Sequence, residues 1–108
     1  MTDLAKQNLF EQVKGKLNIT WDDKDTNGIL NKIINSAIPA LIHKLGIVDK
    51  EFDFSADGLE NTLFLAYCLY DFNHVLNEFD DNYSNLIAQV RAIHEVQYYL
   101  NSEETKIE

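Results

Sequence analysis

The chain reads as an all-α protein: a small four-helix bundle with a long central helix and an extended loop or short strand between the second and third helices. Three observations predict this. Apolar residues recur at three- and four-residue steps in four separate segments, the spacing that lines one face of an α-helix. Three of those segments open on Asp, Asn or Ser, whose side chains accept hydrogen bonds from the free N–H groups of a first helical turn. The composition is 45% hydrophobic with one Pro and four Gly in 108 residues, which favours helices over a turn-rich sandwich. At this length a single domain is expected, residues 1–100, followed by a polar tail at 101–108 that should be mobile in the free chain.

The first helix is predicted from Asp3 to Leu17, with Leu4, Phe10, Val13 and Leu17 on its apolar side and Gly15 weakening its end. Ile19 and Trp21 are expected to tuck the connector against the core. The second helix begins near Asp25. It carries Ile29, Leu30, Ile33, Ile34, Ala37, Ile38, Leu41, Ile42 and Leu45, more than half of its circumference, so it is either central or shared with another subunit. Pro39 removes a backbone donor and should kink it, and Gly46 supplies a stop. In residues 47–58 Val48, Phe52 and Phe54 alternate with Asp49, Glu51, Asp53 and Ser55, which suggests an extended segment whose edges need a partner. The third helix is expected to start at Ser55–Asp57 and to run on Leu59, Leu63, Leu65, Ala66, Leu69, Tyr70 and Phe72. Asp80-Asp81 open the fourth, with Tyr83, Leu86, Ile87, Val90, Ile93, Gln97 and Leu100 in step.

Asp23, Asp25, Asn27 and Gly28 match the front half of an EF-hand calcium loop, D-x-D-x-N-G. The twelfth position should be a bidentate Glu and is Ile34, which offers no oxygen. The segment is better explained as a helix start. Cys68 has no disulfide partner and sits among apolar residues, as a small core side chain would. His43, His74 and His94 fall on different elements without metal-ligand spacing, and no phosphate-binding glycine motif occurs, so no enzyme, metal or cofactor is indicated. No apolar run is long enough for a membrane span, and Met1-Thr2-Asp3-Leu4 does not open a secretory signal. The net charge of −9 argues against ordinary phosphate-backbone binding; it suits a DNA channel wall or a DNA mimic, and equally a charge that only keeps a soluble chain soluble. Surplus apolar surface marks the segment around Phe52 and Phe54, with Ile42 and Leu45 on the second helix, as the candidate subunit contact. Tyr98-Tyr99 cannot both face inward on one helix, so Tyr98, Tyr99 and Leu100 are candidate anchors for a partner.

Laid end to end, "VKGKLNIT", the acidic "WDDKDTNG", the long "ILNKIINSAIPALIHKLGI", the apolar "LENTLFLAYCLYDFNHVLNEF" and "NYSNLIAQVRAIHEVQ" resemble the small head–tail connector proteins of long-tailed bacteriophages, also called head-completion or adaptor proteins. The similarity covers about residues 6–97. It departs from such relatives after Tyr70, where Asn73 stands in place of an Arg. The resemblance implies a non-enzymatic virion protein, assembled in the host cytoplasm. It would form a ring, commonly of twelve copies, beneath the portal. That ring extends the DNA channel without sequence-specific binding and presents a platform to the next tail-joining or stopper protein. It also implies that the last helix, with Tyr98, Tyr99 and Leu100, docks on the portal. The alternative from charge alone is an acidic DNA mimic or regulatory inhibitor that binds a host enzyme.

Overall fold

Three helices end in the same way, which sets the path of the whole chain. In the computed structural model the helices are α1 (Asp3–Lys16), α2 (Lys24–Lys44), α3 (Leu59–Phe72) and α4 (Phe79–Ile107), the last entered through a 3-10 turn at Leu76–Glu78. Residues 1–107 are described, with side chains as far as Asn101. After α1, α2 and α3 one residue adopts a left-handed conformation: Asn18 (φ 58°), Gly46 (φ 64°) and His74 (φ 61°). The next residue then donates its N–H back into the helix, Ile19 to Lys14 at 2.9 Å, Ile47 to Ile42 at 3.0 Å and Val75 to Tyr70 at 2.9 Å. This closure satisfies free carbonyls and folds an apolar residue back towards the core. Ile19 and Ile47 are buried by it.

The starts are less uniform. Thr2 Oγ1 accepts from Ala5 N at 3.1 Å to cap α1. Asp23 caps α2, accepting from Thr26 N at 3.2 Å and from the Thr26 hydroxyl at 2.9 Å. The calcium-like segment is thus the opening of a helix that runs through Gly28 and Ile34. For α3 the expected caps Ser55 and Asp57 are not used: the cap position is Gly58, at φ 152°, with no side-chain hydrogen bond. The helix begins later than predicted because Ser55 is held elsewhere, its carbonyl accepting from Gln12 Nε2 at 2.9 Å. α2 continues through Pro39, and the clearest break lies in α4 at Tyr83 (φ −117°, ψ 16°).

The core forms where α2 and α3 cross, with Leu30, Ile34, Ala37 and Leu41 against Leu63, Phe64, Ala66 and Tyr67. α1 adds Leu9 and Val13, while Leu4, expected inside, is 68% exposed. Trp21 is also outside, its indole N–H reaching the Thr26 hydroxyl at 3.4 Å. α4 returns antiparallel to α3: Phe79 packs edge-on to Tyr67 near its start, and His94 meets Glu60 at the opposite end of α3.

The chain is all-helical, and no strand occurs among the described residues. The segment between α2 and α3, expected as an extended loop or a short strand, carries no strand and is an irregular loop. Asp49 and Asp53 explain it. Their carboxylates accept from the backbone N–H two residues on, at Glu51 and Ser55, both at 2.9 Å. Such side-chain turns bend the backbone out of an extended path. Asn61 then clamps the loop, donating to Phe54 O and to Gln12 Oε1, each at 2.8 Å.

Candidate functional site

α4 outlasts its partner. α3 has 14 residues and α4 has 29, so an antiparallel pair that starts together leaves the second half of α4 without a helix beside it. Among the described side chains, Val90 is the last buried one of α4. Beyond it, Ile93, Val96, Tyr98, Tyr99 and Leu100 are each between 45% and 64% exposed. Exposed apolar residues scattered singly are ordinary, but Ile93, Val96 and Leu100 fall on one side of the arm, with Tyr98 turned away towards the loop.

The base of this arm is held firmly. Arg91 Nη1 donates to the carbonyls of His43 at 3.0 Å and Lys44 at 3.1 Å, and Nε reaches Glu95 at 3.0 Å. Those carbonyls close the C-terminus of α2, where free acceptors and the helix dipole both favour a cation. The close approach needs Gly46, since a Cβ there would sit 3.3 Å from Arg91 Cγ. Further out, His94 Nε2 lies 2.9 Å from Glu60 Oε1, and its ring meets Phe52 edge-on at 5.8 Å.

Two sets of sequence-predicted residues converge here. Phe52, from the loop, and Tyr98, from the arm, line one groove of about 470 Å³ together with Ile47, Val48, His94 and Gln97. Their separation of more than forty residues hid this from the sequence. Two other predicted contacts are corrected. Phe54 and Leu45 are fully buried within their own chain. Phe54 has the internal partners it was thought to lack, Phe64 at 4.9 Å and Phe52 at 5.0 Å between ring centroids. Leu45 caps α2 and is drawn in by the helix-ending turn at Gly46 and Ile47. Ile42 is half-buried and borders a separate groove of about 580 Å³ with Ile38, Pro39, His43, Lys50 and Arg91. That groove went unnoticed in the sequence, although Arg91 stands in the predicted fourth helix.

Cys68 is fully buried, and burial pushes its thiol up to about 12, with Asp71 adding to the effect. A thiol so held is not a nucleophile near neutral pH. Among the described residues no group of three His, Cys, Asp or Glu side chains could hold a metal ion. Likewise among the described residues, no helix is long and apolar enough to cross a membrane. No protein-family model, curated protein or solved structure matches this chain.

Proposed function

We propose that the chain is a structural head–tail connector of a long-tailed phage, forming a ring beneath the portal that extends the DNA channel and joins capsid to tail. The observation that carries the proposal is the α4 arm, rigidly rooted at Arg91 yet apolar and exposed from Ile93 to Leu100. Such a helix needs a partner surface, and the resemblance supplies one in the portal. Tyr98, Tyr99 and Leu100 dock there, with Phe52 beside Tyr98 in the same groove. Self-assembly, commonly into twelve copies, uses the outer surface of α2 around Ile42. The ring presents its far face to the stopper protein, and DNA passes through without sequence-specific contact. The acidic balance of −9 supports the channel role, because like charge keeps DNA from adhering to the wall.

The test is complementation of a phage lacking the protein. Deleting residues 101–108 together with Tyr98→Ala and Tyr99→Ala should leave capsids that fill with DNA but fail to retain it or to join tails. Normal yields of infectious particles from that variant would move the docking role elsewhere on the chain. A chain that stays monomeric with portal present, and competes with DNA for a DNA-binding enzyme, would instead establish the acidic-mimic reading.

A further inference from the structure

Among the described side chains only two carboxylates are partly buried, Glu60 and Asp71, and the others are exposed. Glu60 has a partner, its Oε1 lying 2.9 Å from His94 Nε2. Asp71 has none: among the described residues its carboxylate accepts no hydrogen bond and meets no cation at ion-pair distance. Its position is unfavourable on its own. Asp71 lies in the last turn of α3, which carries no basic residue. The carbonyl end of a helix favours a cation and disfavours an anion. Partial burial adds to the cost, because a carboxylate cut off from water needs a partner. The charge is felt in the core as well. After burial itself, Asp71 is the next cause that raises the Tyr67 hydroxyl and the Cys68 thiol.

Asp71 borders a cleft of about 650 Å³ between α2 and the end of α3, where Ile29, Ile33 and Phe72 give apolar walls. Small-molecule sites have this size and this make-up, mostly apolar with a few placed polar groups. We infer that the cleft binds a small amphiphile with an apolar body and an ammonium group, the ammonium on Asp71 and the body over Ile29, Ile33 and Phe72. The site is independent of the α4 arm and of the connector role. Two features select a cation over an anion. Lys32 also lines the cleft, but it is exposed, so its ammonium stands in water and needs no partner, whereas Asp71 does. The net charge of −9 also draws cations towards the surface and turns anions away. Ser36 and His74 add polar groups at the rim.

Three probes with the same apolar body test this: hexylamine, hexanol and hexanoate, titrated into the full chain near neutral pH and followed by backbone amide NMR shifts. The shifts should concentrate at residues 29–36 and 71–74. Hexylamine should bind roughly tenfold more tightly than hexanol, the margin of a charge-assisted hydrogen bond over a neutral one, and hexanoate more weakly than either. Asp71→Asn should abolish the amine's advantage and leave hexanol binding unchanged. Thermal melting separates a ligand group from a structural one. A carboxylate set against the helix dipole does not hold the fold, so Asp71→Asn should melt as high as the native chain or higher. A clearly lower melting point would mean that Asp71 serves the fold, and would overturn the inference. No binding, equal binding of the three probes, or shifts centred elsewhere would each overturn it as well. Amine binding seen only after Lys32→Gln would mean that Lys32 itself swings onto Asp71 in the native chain, and would also overturn it.

Discussion

Phe52 and Phe54 are two residues apart, chemically identical and in ring contact, yet the structure gives them opposite duties. Phe54 is fully buried against Phe64, whereas Phe52 is half-buried and borders the groove with Tyr98. Phe54→Ala removes a core ring and leaves a cavity, at a cost of about 4 kcal/mol. Against a domain stability of 5–15 kcal/mol, that lowers the ratio of folded to unfolded chain about a thousandfold. With a urea slope of about 2 kcal/mol per molar, the midpoint falls by about 2 M. Phe52→Ala loses part of one ring contact and about 1 kcal/mol, moving the midpoint by about 0.5 M. Urea titrations followed by far-UV circular dichroism separate the two. Under the proposed function the two differ in kind: Phe52→Asp weakens portal binding while the chain stays helical, whereas Phe54→Asp prevents folding. A stable, helical Phe54→Asp protein that fails only in assembly would refute the packing described for the loop and restore Phe54 to the surface.

Arg91→Ala should lose about 1–2 kcal/mol through its two bonds to the end of α2, and hydrogen exchange at residues 92–101 should quicken. Arg91→Lys should recover part of this loss, because both carbonyls accept from the single nitrogen Nη1 and an ammonium can also donate twice, but it gives up the simultaneous Nε bond to Glu95. Gly46→Ala should cost about 1–2 kcal/mol from its left-handed backbone and the crowding of Arg91. Its combination with Arg91→Ala should be less than additive, since the crowding can be removed only once. Cys68 should react with a thiol reagent at pH 8 roughly a thousandfold more slowly in the folded chain than in urea, as its raised thiol dictates. Asp23 has a carboxyl held below its ordinary value of 3.8, first by the Thr26 hydroxyl and then by the Thr26 N–H. A depressed carboxylate contributes stability above its unfolded value and loses it as pH falls through the folded one. Asp23→Ala should therefore melt lower than the native chain at pH 7, with the gap narrowing below pH 3.8. An equal gap at pH 3 would mean that the cap acts without its charge.

Helix positions were legible because they depend on local chemistry that a sequence displays. The steps from Leu30 to Leu41 announce both period and burial, whereas the set expected for the third helix held Leu63 and Ala66 but missed Phe64 and Tyr67, which are buried, and included Leu59, which is exposed. The endings were only partly legible. Gly46 is a recognised stop, but Asn18 and His74 enter the same left-handed conformation without being glycine. What selects them is the apolar residue that follows, Ile19 or Val75, which gains burial or partial burial by folding back. The local pattern does not decide between loop and strand for the segment between α2 and α3, for a related reason. Alternation of Phe and Asp is shared by a half-buried strand and by a chain of side-chain turns. The arbiter is a distant clamp, Asn61 and Gln12, which no local pattern contains.

Whether a stripe is covered is harder to read than where it lies. Tyr83, Leu86, Val90, Ile93 and Leu100 continue one approximate period, yet Val90 is buried while Ile93 and Leu100 are exposed. The period reports which residues share a side of α4. It carries nothing about how far the neighbouring helix extends. That limit is set by α3, which begins at Leu59 because Ser55 is engaged by Gln12 and Gly58 takes the cap position. Had α3 opened at Ser55, another turn would stand beside the arm near His94 and would shield part of it. The clamp on the loop thus does two things at once: it buries Phe54 and it leaves the arm uncovered. Gln12→Ala weakens the clamp at its α1 end, and the accessibility of Tyr98 and Tyr99 becomes a direct report on where α3 begins.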